Sequence, residues 1–430
     1  MANSRRKFIS NISAYAATVG FSSYFTSLKG QSLLHELQIQ RQEDRISSDL
    51  DINFWRQIRA AYNISPTIIN LNNGGVSPSP IVVQEAVEHY NRLANELPSY
   101  HLNRTIGKHK ESVRRSLAEL GGCDVDEIAI LRNATEALEN IIFGLPLQKG
   151  DEVVLSKYDY PSIVNSWKQR ALRDGIKLKW VDLTFPIEDK DLIVKVFEEQ
   201  FTPKTKLVNI THVINWTGQI LPVREIADAA KKRGIEVLVD AAHSFCQIDF
   251  DIPDLNCDYL GTALHKWLCA PFGTGMLYVK KEKIEKVFPL FGSEKPLSED
   301  IRKFEHIGTR STGLEQAIAH AIDFHKLIGS ERKHNRLHFL KNYLLDGLSS
   351  NKRIRIKTSR KKEFSGAIAY FEVDGIENVH ELTSRLYGKH QIHTVGMVHG
   401  KVNGVRATPN VYTLESELDR FIEVLDKVLS

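Results

Sequence analysis

The sequence predicts an α/β protein: an open, largely parallel sheet covered by helices, followed by a smaller C-terminal α+β unit. From Ile68 onward, short β-branched runs alternate with amphipathic stretches of about ten to eighteen residues. Such alternation implies crossover connections and a sheet buried on both faces. Composition agrees, since 42% of the 430 residues are hydrophobic and 26% are charged, the balance of a globular chain. At roughly 150 residues per domain this length suits two or three domains. The 57 basic and 53 acidic residues leave a net charge of +4, which offers nucleic acid no electrostatic footprint. No uninterrupted apolar run reaches the roughly eighteen residues of a membrane span. The four cysteines, at 123, 246, 257 and 269, have neither CxxC spacing nor the density of a disulfide scaffold.

In chain order, the start reads Asn3-Ser4-Arg5-Arg6-Lys7-Phe8-Ile9, and a mildly apolar stretch follows to about Leu28. Paired arginines before such a stretch have the pattern of a twin-arginine export signal. Asn11, Ser13, Ser22 and Ser23 interrupt the apolar part, so no stable membrane anchor is expected. The competing reading is a basic tail on a cytoplasmic protein. The expected organisation is a signal segment over 1–30, a segment over 31–75 packing on the small domain, a large domain over 76–315 and a small domain over 316–430. Strands are expected at 127–131, 152–156, 178–182, 206–210, 236–240, 259–262 and 276–279. Helices are expected at 136–143, 162–173 and 223–233, the last closed by Gly234. A single long helix over 314–348 leaves the large domain, and a strand at 367–373 and a helix at 415–428 belong to the small one.

Open parallel sheets bind ligands beyond the carboxyl ends of their strands, and three features fall there. Asn133-Ala134-Thr135-Glu136 opens a helix with the spacing of a cap. The amides of Ala134 and Thr135, with the threonine hydroxyl, would then make a phosphate site. The strand ending at Val239 terminates in Asp240, a carboxylate that needs a cationic or hydrogen-bonding partner if it is buried. The run Gly261-Thr262-Ala263-Leu264-His265-Lys266-Trp267 puts a lysine beyond another buried strand, where apolar neighbours can strip its proton and make it nucleophilic towards carbonyls. Phosphate cradle, strand-end aspartate and buried lysine together suit pyridoxal phosphate.

Here the chain resembles the class V aminotransferase family of pyridoxal-phosphate enzymes, which includes cysteine desulfurases and isopenicillin N epimerase. The resemblance runs from about Asn70 to the C-terminus. It rests on NATEA at 133–137, HVINWTGQILPV at 212–223, VDAAHS at 239–244, HKWLCAP at 265–271, GT at 308–309 and RATPNVYTLESELDRF at 406–421. The wording of HKWLCAP is similar to the isopenicillin N epimerase branch. The resemblance implies the fold type I architecture of pyridoxal-phosphate-dependent transferases, with Lys266 holding the cofactor as an internal aldimine and shuttling the substrate Cα proton. It implies Asp240 at the pyridinium nitrogen, Asn215 and His243 near the phenolic edge, and Ala134, Thr135 and His265 at the phosphate. Thr309 would reach the phosphate from a second protomer of a homodimer with a shared active site. Tyr160 would stack on the ring, and Arg406 would clamp the carboxylate of an amino-acid-like substrate.

Two departures qualify this. Desulfurases carry a cysteine on the loop before the carboxylate-binding arginine, and residues 393–400 here contain none, which argues against that activity. Ala263 stands where relatives often place a phosphate-binding serine, with Thr262 the nearest substitute. His390, His393 and His399 are expected on a loop near the substrate, but no HExxH or Cys/His spacing signals a metal. Transamination, epimerisation and, as runner-up, C–S lyase chemistry at Cα all remain compatible with these residues. A non-catalytic binding protein is disfavoured because Lys266, Asp240 and Arg406 are all present.

Overall fold

The computed structural model describes residues 52–430 together with Gly30 and His35. The expected signal segment and most of the 31–51 stretch therefore lie outside the described residues. Helix α1 (Ile52–Ala60) leads to a two-residue strand β1 (Ile69–Asn70) and to helices α2 (Ile81–Glu96) and α3 (Ile106–Gly121). Alternation then begins with β2 (Ile128–Leu131), α4 (Ala134–Gly144), β3 (Glu152–Ser156), α5 (Pro161–Asp174), β4 (Lys177–Val181) and α6 (Lys190–Glu198). It continues with β5 (Thr205–Thr211), α7 (Val223–Lys231), β6 (Glu236–Asp240), β7 (Tyr259–Ala263) and β8 (Gly275–Val279).

These strands form one seven-stranded sheet in the order β2-β8-β7-β6-β5-β3-β4. All pairings are parallel except those of β8, which runs antiparallel to both neighbours. Alternate residues feed two cores. Val154, Val237 and Val239 enter one, while Val153, Leu155 and Leu238 enter the other. That is why the strands read as continuous apolar runs rather than as alternating ones. Helices α4 and α5 cover one face through Leu138, Ile141 and Trp167. The other face is covered in part by α3 and α7, through Val113, Leu117, Ile226 and Ala230.

The long helix expected over 314–348 is two helices, α8 (Thr312–Ile328) and α9 (Ser330–Leu348), broken at Gly329 with φ +91°. The apolar pattern passes through the break, but only glycine adopts this backbone readily. Helix α8, which spans the expected 315/316 boundary, packs on α2 and α3. Beyond it lie α9, β9 (Ile354–Ile356), β10 (Ala369–Val373), α10 (Val379–His390), β11 (Ile392–His393), β12 (Val395–His399), β13 (Val402–Ala407) and α11 (Glu415–Leu429). Strands β12-β13-β10-β9 make an antiparallel sheet covered by α9 and α11 through Leu344, Leu348, Phe421 and Leu425.

The described part of the N-terminal segment joins this second unit. β1 pairs in parallel with β11, and the Thr408 N–H donates to Leu71 O at 2.7 Å. Arg59 donates to Glu417 at 2.8 Å. Among the described residues no helix is long and apolar enough to cross a membrane.

Candidate active site

Five strand ends of the large sheet, those of β2, β3, β5, β6 and β7, deliver the polar residues of one site. Asp240 closes β6, opposite Gly261 of β7 and Thr211 of β5. Buried at 4% exposure, it accepts a hydrogen bond from the Ala242 N–H at 2.9 Å. Burial pushes its carboxyl upward, while the Ala242 amide and the Lys266 cation pull it back. Lys266 lies three residues past β7, in a loop closed by Leu264 N–H donating to Thr274 O and Ala270 N–H donating to Leu264 O, both at 3.0 Å. The fully buried Trp267 anchors this loop, and Lys333 donates to the Trp267 carbonyl. Desolvation pulls the Lys266 amine down to about 8, with Asp240 opposing and Arg406 reinforcing the drop.

Lys266 Nζ stands 3.2 Å from His243 Nε2, and the Trp267 indole N–H donates to His243 Nδ1 at 3.4 Å. A donor on Nδ1 puts the imidazole proton on Nε2. Burial and the cations Lys266 and Arg406 hold His243 well below its usual range. A neutral His243 thus presents Nε2–H to the Lys266 amine in its unprotonated form.

The anion cradle forms at α4. Asn133 Oδ1 accepts the Glu136 N–H at 2.9 Å, so the cap is made and the first-turn amides of Ala134 and Thr135 are left without intrahelical acceptors. The Thr135 hydroxyl lies 3.4 Å from the Ser162 hydroxyl at the start of α5. Gly275 opens β8 directly against this turn. A Cβ there would stand 2.6 Å from the Asn133 backbone, so glycine is what lets the 264–275 segment abut the helix N-terminus. His265 faces Thr274 O with its Nδ1 at 3.2 Å.

Arg406, on β13, is buried to 5% exposure. Its Nη1 donates to Asn215 O at 2.9 Å and its Nη2 to Asn72 Oδ1 at 3.1 Å, while Nε is buried without a partner. No carboxylate pairs with it among the described residues, and burial lowers it to about 10. Asn215 Oδ1 is likewise buried and unpartnered. Tyr160, at 44% exposure, presents its ring with the centroid 5.7 Å from Lys266 Nζ.

Thus Lys266, Asp240, His243, Arg406, Asn215 and Tyr160 are linked by contacts or by their mutual fields, while Ala134 and Thr135 open α4 beside Gly275 and His265 contacts Thr274 O, one residue before it. Thr309 is not brought to them within this chain. It lies exposed before α8 and donates or accepts no hydrogen bond with these residues. Thr262 does not take the place of a serine at 263, because its buried hydroxyl donates to Ala241 O at 3.0 Å. His399 stacks on Trp216 at 4.5 Å and 9°, and its Nε2–H donates to Lys157 O at 2.8 Å. Half-buried His390 ends α10 away from these contacts.

Two residues escaped the sequence reading. Asp159 follows β3 and accepts from Thr211 Oγ1 at 2.7 Å and Asn209 Nδ2 at 2.9 Å. Burial pushes it up to about 7, and the Asp240 charge adds to the rise. Asn72 contacts Arg406 across 334 positions of chain, a separation no local pattern reports.

Pyridoxal phosphate fits these residues. A desolvated amine for the aldehyde, a carboxylate for the ring nitrogen, an aromatic face, a carboxamide at Asn215 whose oxygen has no partner among the described residues, and first-turn amides at α4 are all in place. Arg406 is left as a buried cation without a carboxylate partner among the described residues.

Comparison with known proteins agrees. Residues 69–420 match the family model described as Aminotransferase class-V. The chain is similar to an isopenicillin N epimerase of Streptomyces clavuligerus, 28% identical over 86% of this chain and 98% of that protein. It is similar to a probable cysteine desulfurase of Synechocystis, 29% identical over 84% of this chain and 91% of that one. Among solved structures, a cysteine desulfurase from Thermococcus onnurineus superposes with a TM-score of 0.76 at 25% identity, over 86% of this chain and 97% of that chain.

Proposed function

Since the chain belongs to the aminotransferase class-V family and has its fold, we propose that it is a pyridoxal-phosphate enzyme that transaminates or epimerises an amino acid or a small peptide-like amine at Cα. The observation that carries this is a desolvated Lys266 amine 3.2 Å from His243 Nε2 and within the field of buried Asp240, beside a buried Arg406 that has no counter-ion among the described residues. Lys266, Asp240, Tyr160, Asn215, His243, His265, Ala134 and Thr135 would hold the cofactor, which supplies an electron sink for a Cα carbanion. Arg406 binds the substrate carboxylate and so orients the Cα–H bond towards Lys266. The Lys266 Nζ, whose proton burial loosens, takes and returns the Cα proton in its neutral form. His243, with its proton on Nε2 at 3.2 Å from that amine, stabilises the neutral base.

The absence of cysteine from 393–400 disfavours desulfurase chemistry, which needs a thiol to receive sulfur. The name of the Streptomyces relative supports an epimerase course. The test is incubation of the loaded enzyme with L- and D-amino acids, short amino-terminal peptides and sulfur-containing amines in deuterated buffer. Cα deuterium exchange with inversion or keto-acid formation is expected. Release of sulfide with a keto acid and no exchanged substrate would instead make it a C–S lyase and overturn the reading.

Two further parts of the proposal concern assembly and location. Exposed Thr309 is assigned to the cofactor phosphate of a second protomer. Light scattering should show a dimer, and an active monomer would refute the assignment. The Arg5-Arg6 segment is assigned to twin-arginine export of the folded, loaded protein. A reporter fused to residues 1–35 should cross the membrane and should stop crossing when both arginines become lysine.

A further inference from the structure

Arg406 is surrounded by acceptors that carry no charge. The Asn215 carbonyl takes one Nη1 hydrogen at 2.9 Å and the Asn72 carboxamide oxygen takes one from Nη2 at 3.1 Å. Among the described residues nothing takes the Nε hydrogen. A buried guanidinium is ordinarily neutralised by a carboxylate, because its desolvation is otherwise uncompensated, and elsewhere in this molecule that is what happens. Buried Arg114 is bonded by Glu305, and buried Arg336 by Glu415 at 2.6 Å. At Arg406 the position nearest to that of a counter-ion is occupied by an amide.

The polarity of that amide is fixed on both sides. A guanidinium can only donate, so the atom of Asn72 facing Arg406 must be the oxygen. The nitrogen then faces His393, where Asn72 Nδ2 lies 3.2 Å from Nε2. Nε2 is therefore the acceptor, and the His393 proton sits on Nδ1. Burial, which pulls His393 below its usual range, keeps the ring neutral and suited to accept. The backbone of Asn72 is pinned as well. Its N–H donates to Asn70 Oδ1 at 3.1 Å, its carbonyl accepts the Gly75 N–H at 3.1 Å, and it bridges to Thr408, two residues past Arg406.

We infer that Asn72 is a positioning residue that aims Arg406 with a neutral oxygen, so that the guanidinium keeps its charge for an anionic group of the substrate. An aspartate of the same shape would hold Arg406 equally well but would neutralise it. This rests on the reading of Arg406 as the carboxylate clamp. It goes further by stating why the anion site contains an amide and which residue decides its charge selectivity.

The test uses the cofactor-loaded protein and two isosteric probes, propionate and neutral propionamide, with binding measured by calorimetry. Asn72→Ala should weaken propionate about tenfold, the effect of one lost hydrogen bond to a charged group. Asn72→Asp should weaken it about a hundredfold or more, the effect of occupying a buried charge pair from within. Propionamide binding and the cofactor's visible band should not change in either. Thermal unfolding of Asn72→Asp should be no lower than that of the unsubstituted protein, since the new carboxylate meets a buried cation.

A purely structural asparagine, whose carboxamide also donates to His393, would in both variants weaken propionate and propionamide together and lower thermal stability, and that outcome overturns the inference. Arg406→Gln separates the two layers. If it leaves propionate affinity intact, the clamp reading itself fails. If it abolishes affinity while Asn72→Asp does not, only the role of Asn72 fails.

Discussion

The proton of Lys266 is the most exacting point of this account, because a protonated amine cannot attack an aldehyde. Free lysine titrates near 10.5, so at pH 7 roughly one amine in three thousand is neutral. Burial in the 264–270 loop lowers Lys266 to about 8, which makes about one in ten neutral, a gain on the order of 300-fold. Asp240 opposes the drop and Arg406 reinforces it. Removing the aspartate charge in Asp240→Asn should therefore move the midpoint further to the acid side, although the same change damages the cofactor site. The assay is pH-dependent trace labelling of the cofactor-free protein with acetic anhydride, reading the Lys266 peptide by mass spectrometry against an exposed lysine such as Lys427. A Lys266 midpoint near 8, shifted downward in Asp240→Asn, is expected. A midpoint near 10, or an upward shift in the variant, would refute the reasoning.

Gly275→Ala places a methyl group 2.6 Å from the Asn133 backbone. It should destabilise the protein by about 1–3 kcal/mol through overpacking and loosen cofactor binding, as read by urea unfolding and fluorescence titration; unchanged values would mean that β8 and α4 are not held together as described. Burial draws His212, whose Nδ1 has no partner, down to about 3. Its unfolded value near 6.5 means that the unfolded chain binds the extra proton, so its stability contribution is complete above about pH 6.5 and is lost on acidification, reaching about 2 kcal/mol at pH 5. His212→Gln should flatten the pH 7-to-5 slope of the urea midpoint by that amount, and an unchanged slope would contradict the burial argument. Cys246, Cys257 and Cys269 are buried, and burial pushes the thiols of Cys123, Cys246 and Cys257 up to about 12. Iodoacetamide at neutral pH should accordingly leave Cα exchange intact, whereas rapid inactivation would reveal a working thiol.

The sheet was legible because its strands are buried on both faces and so spell themselves as aliphatic runs. Glu236–Asp240 and Glu152–Ser156 fall where the sequence places them. Lys266 and Asp240 were legible for the same reason, as charges at the ends of such runs. The break at Gly329 was not, since Leu327, Ile328 and Leu337 keep the apolar period on both sides of it. The direction of the Thr262 hydroxyl was hidden too, being set by the β7–β6 contact that gives it the Ala241 carbonyl. Asn72 was hidden because its partner is brought to it by β1–β11 pairing and the bridge to Thr408, contacts that join the two ends of the chain. Asp159 was hidden because it lies in the turn after β3, and the partners that make it part of the site, Thr211 and Asn209, come from the neighbouring strand β5.

The most direct measurement is reductive trapping. The purified protein, loaded with pyridoxal phosphate and treated with borohydride, should carry one pyridoxyl group per chain on the peptide containing residue 266, and Lys266→Ala should carry none there. Label on a different lysine, or a chain that takes up no cofactor at all, would contradict the assignment of this site.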